Sequence, residues 1–294
     1  MAMRQVLLFF CFMVLYACGV KNSSEPINSF RMNHDQILTP AELSKVTVRS
    51  ASDYRKVLQQ IDPADLSSLD AAKNIFLKSS SDSIVSDSMF VSFYDFYTRL
   101  ADIYIESNEQ VALQLANNKS HALLSSNFAS RGLKLVSDRE LFSLARQNSY
   151  LLKEFGPRLS ASFREFLTIS IKEQNIPFQK NGKIVIPSDS LASRILTWEN
   201  FMGRYPDFIE LRLAQDEYTQ YLGAYLSGTD NARAFNSNTS QLQDSLKLSL
   251  ESFVLNNPES KSANLVKDYL EMLKGTNFNY TEKVDSFLLE KVYH

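Results

Sequence analysis

Asp87–Tyr104 reads DSMFVSFYDFYTRLADIY. Phe90, Phe93, Tyr94, Tyr97, Leu100, Ala101 and Tyr104 fall at steps of three and four, so they share one stripe of a helix. Asp87 or Ser88 supplies the N-cap, and the preceding Ser79–Asp87 reads as a Ser/Asp loop. The stripe is wide and aromatic, which marks a face buried against neighbouring helices, with a ligand groove as the alternative.

The same periodicity extends outward in both directions. Thr39-Pro40-Ala41-Glu42 has a capping residue, a proline at the first helical position and an acid three residues on. Short helices follow over Ser52–Ile61 and Asp65–Leu77. Beyond the aromatic helix, further helical stretches are expected over Glu109–Ala116, His121–Phe128, Tyr150–Phe155 and Ser160–Gln174. More follow over Leu191–Met202, Ile209–Ser227, Leu242–Leu255, Ala263–Leu273 and Tyr280–Val292. Gly132–Val136 reads as a short strand. Asn181-Gly182, flanked by apolar residues, is the favoured two-residue turn, so a β-hairpin is expected near 176–186. Gly228 stands where a helix C-cap glycine belongs, and Asp230–Ser240 reads as a polar loop. The fold class is mainly α, with one short β-hairpin. Only 8 Gly and 8 Pro argue against a turn-rich all-β chain.

The first eighteen residues have a different character. Arg4 precedes the unbroken apolar run Val6–Tyr16, and Leu15-Tyr16-Ala17-Cys18-Gly19 follows. The run is shorter than the about 20 residues that span a bilayer. A basic start, an apolar core and a small residue before a cysteine make a secretory signal. This segment resembles the signal peptide and lipobox of bacterial lipoproteins of the Bacteroidetes type. The resemblance implies removal of residues 1–17, a lipid on Cys18 and a tether over 18–38. Acyl chains bury at about 0.8 kcal/mol per CH2, so several chains on one cysteine hold a protein at a membrane. The expected place is the cell envelope, at the outer membrane, with the periplasmic and surface faces both open.

Loss of residues 1–17 leaves 30 basic against 33 acidic side chains. That balance has no cationic surplus for phosphates, so nucleic acid is not an expected partner. Cys11 and Cys18 are the two cysteines, so the remainder has no disulfide and no thiolate metal site. Stability falls to packing, for which 20 Phe, 13 Tyr and a single Trp are available.

An internal repeat follows in the C-terminal third. Residues 198–207 read WENFMGRYPD and 250–259 read LESFVLNNPE. At an offset of 52, Glu199 matches Glu251, Phe201 matches Phe253, Pro206 matches Pro258 and Leu213 matches Leu265. Each copy is a helix ending in a Pro-acidic turn with a second helix behind it. The unit resembles the helix-turn-helix of TPR-type repeats, as found in lipoproteins of outer-membrane assembly machinery. The offset departs from the usual period of about 34, which an insertion at Asp230–Ser240 accounts for. Two copies fall short of the about three that bury a continuous solenoid core. The expected organisation is a helical part over 39–187 and a TPR-like helical-hairpin part over 188–294.

No catalytic constellation is recognisable. His34, His121 and His294 have no ligand partner at i+3 or i+4, and no glycine-rich phosphate loop or nucleophile elbow occurs. No cofactor is expected, and no pair of carboxylates stands out. Trp198, Tyr205, Tyr218 and Tyr221 are the candidate contact residues for a partner or a stacked ligand. Asp-Ser-apolar triplets at Ser83, Ser88, Ser190 and Ser245 are similar to the O-glycosylation sequon of Bacteroidetes secreted proteins, while helix capping explains the same pairs. The first expectation is a lipid-anchored, non-enzymatic scaffold or protein-binding module with an envelope protein as partner. The alternative is an anchored binder of a small ligand or glycan. An enzyme would need two close carboxylates of perturbed pKa.

Overall fold

The computed structural model describes residues 37–79, 82–107, 121–138, 141–229 and 231–293. The signal peptide, Cys18, the tether and the helix expected over Glu109–Ala116 lie outside the described residues. The protein is mainly helical with short antiparallel two-stranded pairs. It divides into two compact units, Ser23–Lys172 and Glu173–His294. The division falls inside a helix, so the expected hairpin near 176–186 groups with the C-terminal unit.

The N-terminal unit runs α1 (Pro40–Leu43), α2 (Ala51–Leu58), α3 (Ser68–Lys78), α4 (Ser83–Ser107) and α5 (His121–Ala129). It continues through β1 (Leu133–Asp138), β2 (Leu141–Arg146), α6 (Asn148–Phe155) and most of α7 (Ala161–Asn175). The Thr39–Glu42 capping box and Pro40 open α1 as the sequence indicates. The aromatic stripe of α4 is core. Phe90, Phe93 and Tyr97 are fully buried. Their hub is Phe155, at the end of α6, whose ring centroid lies 4.4 Å from Phe93, 5.3 Å from Phe90 and 4.9 Å from Phe76 of α3. Phe163 of α7 stands edge-on to Phe90 at 5.0 Å. Four helices therefore meet on one ring cluster. Asp70–Arg131 (2.6 Å) and Lys73–Glu154 (3.3 Å) add ion pairs at its margin.

Two elements differ from the sequence reading. Helix α4 begins at Ser83, where Asp82 Oδ1 accepts from Val85 N–H at 2.9 Å, so the Ser79–Asp87 loop is shorter than expected. Asp87 is buried within α4 and accepts from Ser160 N–H at 2.9 Å, just ahead of α7. Two Asp-Ser pairs five residues apart offered two caps, and burial of the second decided between them. Leu141–Arg146 is the second difference. It is a strand paired with β1, in a register that sets Leu135 opposite Leu144, where the sequence reading passes straight to a helix.

The C-terminal unit continues with β3 (Gln179–Lys180), β4 (Lys183–Ile184), α8 (Ser188–Arg204) and α9 (Leu211–Ser227). Then come β5 (Gly228–Thr229), β6 (Ala232–Arg233), α10 (Asp244–Asn256), α11 (Lys261–Lys274) and α12 (Glu282–Lys291). Asn181 and Gly182 both have positive φ (52° and 69°), as a type I′ turn between β3 and β4 requires. Gly228 has φ of 79°, and a Cβ there would collide with the Ala232 carbonyl oxygen, because the chain folds straight back into β6. That small pair lies where the sequence suggests a polar loop. The repeat corresponds to two helix-turn-helix units, α8–α9 and α10–α11. Phe201 and Phe253 are buried near the ends of the first helices, and Pro206 and Pro258 stand in the turns.

Truncating the hub ring leaves a cavity that four helices cannot jointly close. Phe155→Ala is expected to destabilise the N-terminal unit by about 3–5 kcal/mol, measured by urea denaturation, with Phe155→Leu costing markedly less.

Candidate functional site

The four contact candidates do not form one aromatic surface. Trp198 has no exposed area and Tyr221 is 3% exposed, so neither ring offers a face for stacking. Tyr218 is half-buried, with its hydroxyl 2.9 Å from Ser262 Oγ. Tyr205 is half-buried in the turn after α8, its ring 5.2 Å from that of Phe201. Trp198 and Tyr221 do come together, around a carboxylate the sequence reading passed over.

That carboxylate is Glu173, near the end of α7. Trp198 Nε1–H donates to Glu173 Oε1 at 3.0 Å. The Tyr221 hydroxyl accepts from Arg194 Nη1 at 3.2 Å. Arg194 Nη2 also donates to the Ile176 carbonyl, and its guanidinium lies over the Tyr221 ring, 5.4 Å from the centroid. Glu217, one turn before Tyr221 on α9, completes the group. Arg194 precedes Trp198 by four residues and Glu217 precedes Tyr221 by four. Each charge therefore shares a helix face with a buried aromatic ring.

Burial pushes the Glu173 carboxyl up to about 7, against hydrogen bonds from Tyr221 and Trp198 and the positive charge of Arg194. Glu217 is also pushed up to about 7, first by burial, then by the charges of Glu173 and Asp216, with Arg194 opposing. Two half-buried carboxyls that exchange protons near neutrality are the pattern that acid–base chemistry needs. Here their partners are mostly taken up by one another.

Glu199, the next residue after Trp198, does the opposite job. Its oxygens accept from Lys261 N–H (2.8 Å), Ser262 N–H (3.0 Å) and Ser260 Oγ–H (2.8 Å), and from the Ser262 hydroxyl. Burial raises its pKa, but these hydrogen bonds outweigh it and leave the carboxyl below the ordinary value of 4.5. Glu199 thus caps α11 from a different hairpin. In the sequence Glu199 stands out only as the match of Glu251 in the repeat.

Of the triplet serines, Ser83, Ser190 and Ser245 are exposed in the first turns of α4, α8 and α10, and Ser88 is half-buried inside α4. Among the aspartates of the triplets Asp82 makes the capping bond, whereas Asp189 accepts from Ser249 Oγ–H at 3.0 Å. No group of three or more His, Cys, Asp and Glu is placed to hold a metal ion among the described residues. Among them, too, no helix is long and apolar enough to cross a membrane. No family model, curated protein or solved structure matches the chain.

Removing the cap leaves several α11 donors without a charged acceptor. Glu199→Ala is expected to cost about 2 kcal/mol in chemical unfolding of the C-terminal unit, and Glu199→Gln less. The sign with pH follows from the lowered pKa. The stabilisation is present above the ordinary value of 4.5 and is lost as pH falls through the lower folded value. Acid should therefore narrow the gap between wild type and Glu199→Ala.

Proposed function

We propose that this chain is a lipid-anchored helical protein of the cell envelope, held by a lipid on Cys18, that works as a non-enzymatic scaffold or protein-binding module. The repeated hairpin carries the reading. Helices α8–α9 and α10–α11 share one plan, with a buried Phe before the turn and a proline within it, and they interlock through Glu199 and Tyr218. Stacked hairpins of this kind present helix faces to other proteins, and TPR-like geometry is part of the proposal. The lipobox supports the anchor, the outer membrane as its site and an envelope protein as partner.

The glycan- or small-ligand-binding alternative relied on aromatic stacking. Burial of Trp198 and Tyr221 takes away the two rings best suited to it. Carboxylate acid–base catalysis is a second reading, favoured by Glu173 and Glu217. It ranks lower because Trp198, Tyr221 and Arg194 are spent on contacts within the cluster and with the Ile176 carbonyl.

Affinity purification from detergent-solubilised envelopes is expected to recover a defined envelope protein in stoichiometric amount. Recovery of no protein together with a hit on a glycan array would overturn the scaffold reading. Cys18→Ala is expected to abolish lipid labelling and release the chain to the soluble fraction. An unchanged membrane distribution would remove the anchor.

A further inference from the structure

Residues 176–187, between α7 and α8, read IPFQKNGKIVIP. Two large aliphatic side chains of this stretch stand in solvent, Ile176 at 62% exposure and Val185 at 54%. Pro177 and Pro187 beside them are exposed, as are Lys180 and Lys183. The two lysines are opposite each other in the β3–β4 register, so they share one face of the hairpin. Val185, two residues beyond Lys183, continues that face. Its N–H donates to the Phe178 carbonyl at 2.8 Å. Ile176 precedes Phe178 by two residues, so the exposed aliphatic pair flanks one point of the hairpin.

The hairpin is fastened to the body of the unit from below. Phe178 is buried and stands edge-on to Tyr221 at 5.0 Å, and Arg194 donates to the Ile176 carbonyl. The tip is tied separately. Thr229 Oγ1–H donates to the Gly182 carbonyl at 2.6 Å, and Asn231 Nδ2–H donates to the Asn181 carbonyl at 2.9 Å. These ties present Ile176 and Val185 to solvent on a fixed support.

The charge of the stretch has one sign. Residues 174–188 contain two lysines and no acid. The acids that bracket it are engaged elsewhere. Glu173 accepts from Trp198 Nε1–H, and Asp189 accepts from Ser249 Oγ–H. The exposed apolar pair is therefore accompanied by cations alone within its own segment.

We propose that the β3–β4 hairpin is a lipid-surface contact, in which Ile176 and Val185 enter the edge of a bilayer and Lys180 and Lys183 meet its anionic headgroups. The residue types favour lipid over a protein surface. Protein interfaces centre on aromatic and Arg anchors and are depleted in Lys. A lysine stem lies along apolar surface while its ammonium stays at headgroup level, where an anionic leaflet attracts it. Two aliphatic side chains bury too little to hold a protein at a bilayer alone, so the contact works beside the lipid on Cys18. To that extent it rests on the anchored reading. A second contact fixes which side of the C-terminal unit faces the membrane.

Quenching by brominated lipid tests the contact in the full-length chain. The Val185→Trp variant is bound to phosphatidylcholine vesicles with or without phosphatidylglycerol, and the vesicle-bound fraction is isolated by flotation. Trp198 is the only native tryptophan and has no exposed area, so quenching reports the new indole. Leu255→Trp is the control, at a position 79% exposed on α10. With phosphatidylglycerol present, the Val185→Trp indole is expected to be quenched at least about twofold more than the Leu255→Trp indole. Adding Lys180→Gln and Lys183→Gln, or high salt, should remove most of that difference. Should Val185→Trp fail to fold, Ile176→Trp reports the same contact. Equal quenching at the two positions would overturn the proposal. So would quenching indifferent to phosphatidylglycerol and to the lysines. Val185→Trp emission shielded from aqueous quencher before vesicles are added would assign the hairpin to a second copy instead, and overturns it too. Failure of the anchor has a different signature, with no lipid on Cys18 while vesicle-bound Val185→Trp is still quenched.

Discussion

Glu199 accepts hydrogen bonds from backbone and hydroxyl donors at the start of α11, and the pairing of the two C-terminal hairpins hangs on it. A helix start carries unsatisfied N–H groups and the positive end of its dipole. Ser260 already supplies the local cap, its Oγ accepting from Ala263 N–H at 3.1 Å. A second acceptor from α8 fixes where α11 can lie, because a carboxylate holding donors of two adjacent residues leaves little freedom of rotation. The helix that begins this way brings Tyr269 to the end of α9, where its hydroxyl donates to the Leu226 carbonyl at 3.0 Å.

Residues 19–294 contain no cysteine, so packing and polar locks of this sort take the place of disulfides. Buried tyrosines are the second kind of lock. Tyr54 donates to the Ala72 carbonyl, Tyr97 to the Gly132 carbonyl, and Tyr225 pairs with Ser249. Each ring fills core volume as a phenylalanine would, while the hydroxyl has one acceptable partner. A core of phenylalanine alone would tolerate sliding of one helix on the next. The hydroxyls remove that freedom, because a shifted tyrosine would bury an unpaired O–H.

Helices were legible because their apolar residues recur at three and four, and the β3–β4 turn because Asn-Gly suits positive φ at both positions. Strand β2 was not, since Arg139-Glu140 between it and β1 carries no turn signal and Leu141–Arg146 is short. The start of α4 reads too late in the sequence, at Asp87 or Ser88, because Asp82, which makes the capping bond, is no better a cap by residue type than Asp87. The candidate site was hidden for another reason. Glu173 and Trp198 are 25 residues apart and meet only once the chain folds. Trp198 and Tyr221 read as contact residues in the sequence because nothing there shows that their rings are buried. Both tips meet the cluster while both rings are buried.

Trp198 and Glu199 are neighbours on α8 that face different elements, one toward α7 and the other toward α11. The same helix thus anchors the beginning and a later part of the unit, and it does so with acids in opposite environments. Glu199 is surrounded by donors that hold its carboxyl below the ordinary value, whereas Glu173 accepts from Trp198 and burial pushes its carboxyl up to about 7. Protonation of Glu199 in acid weakens the contact with α11. Residue type does not decide which way a carboxylate acts in this unit; the ratio of donors to negative charge around it does.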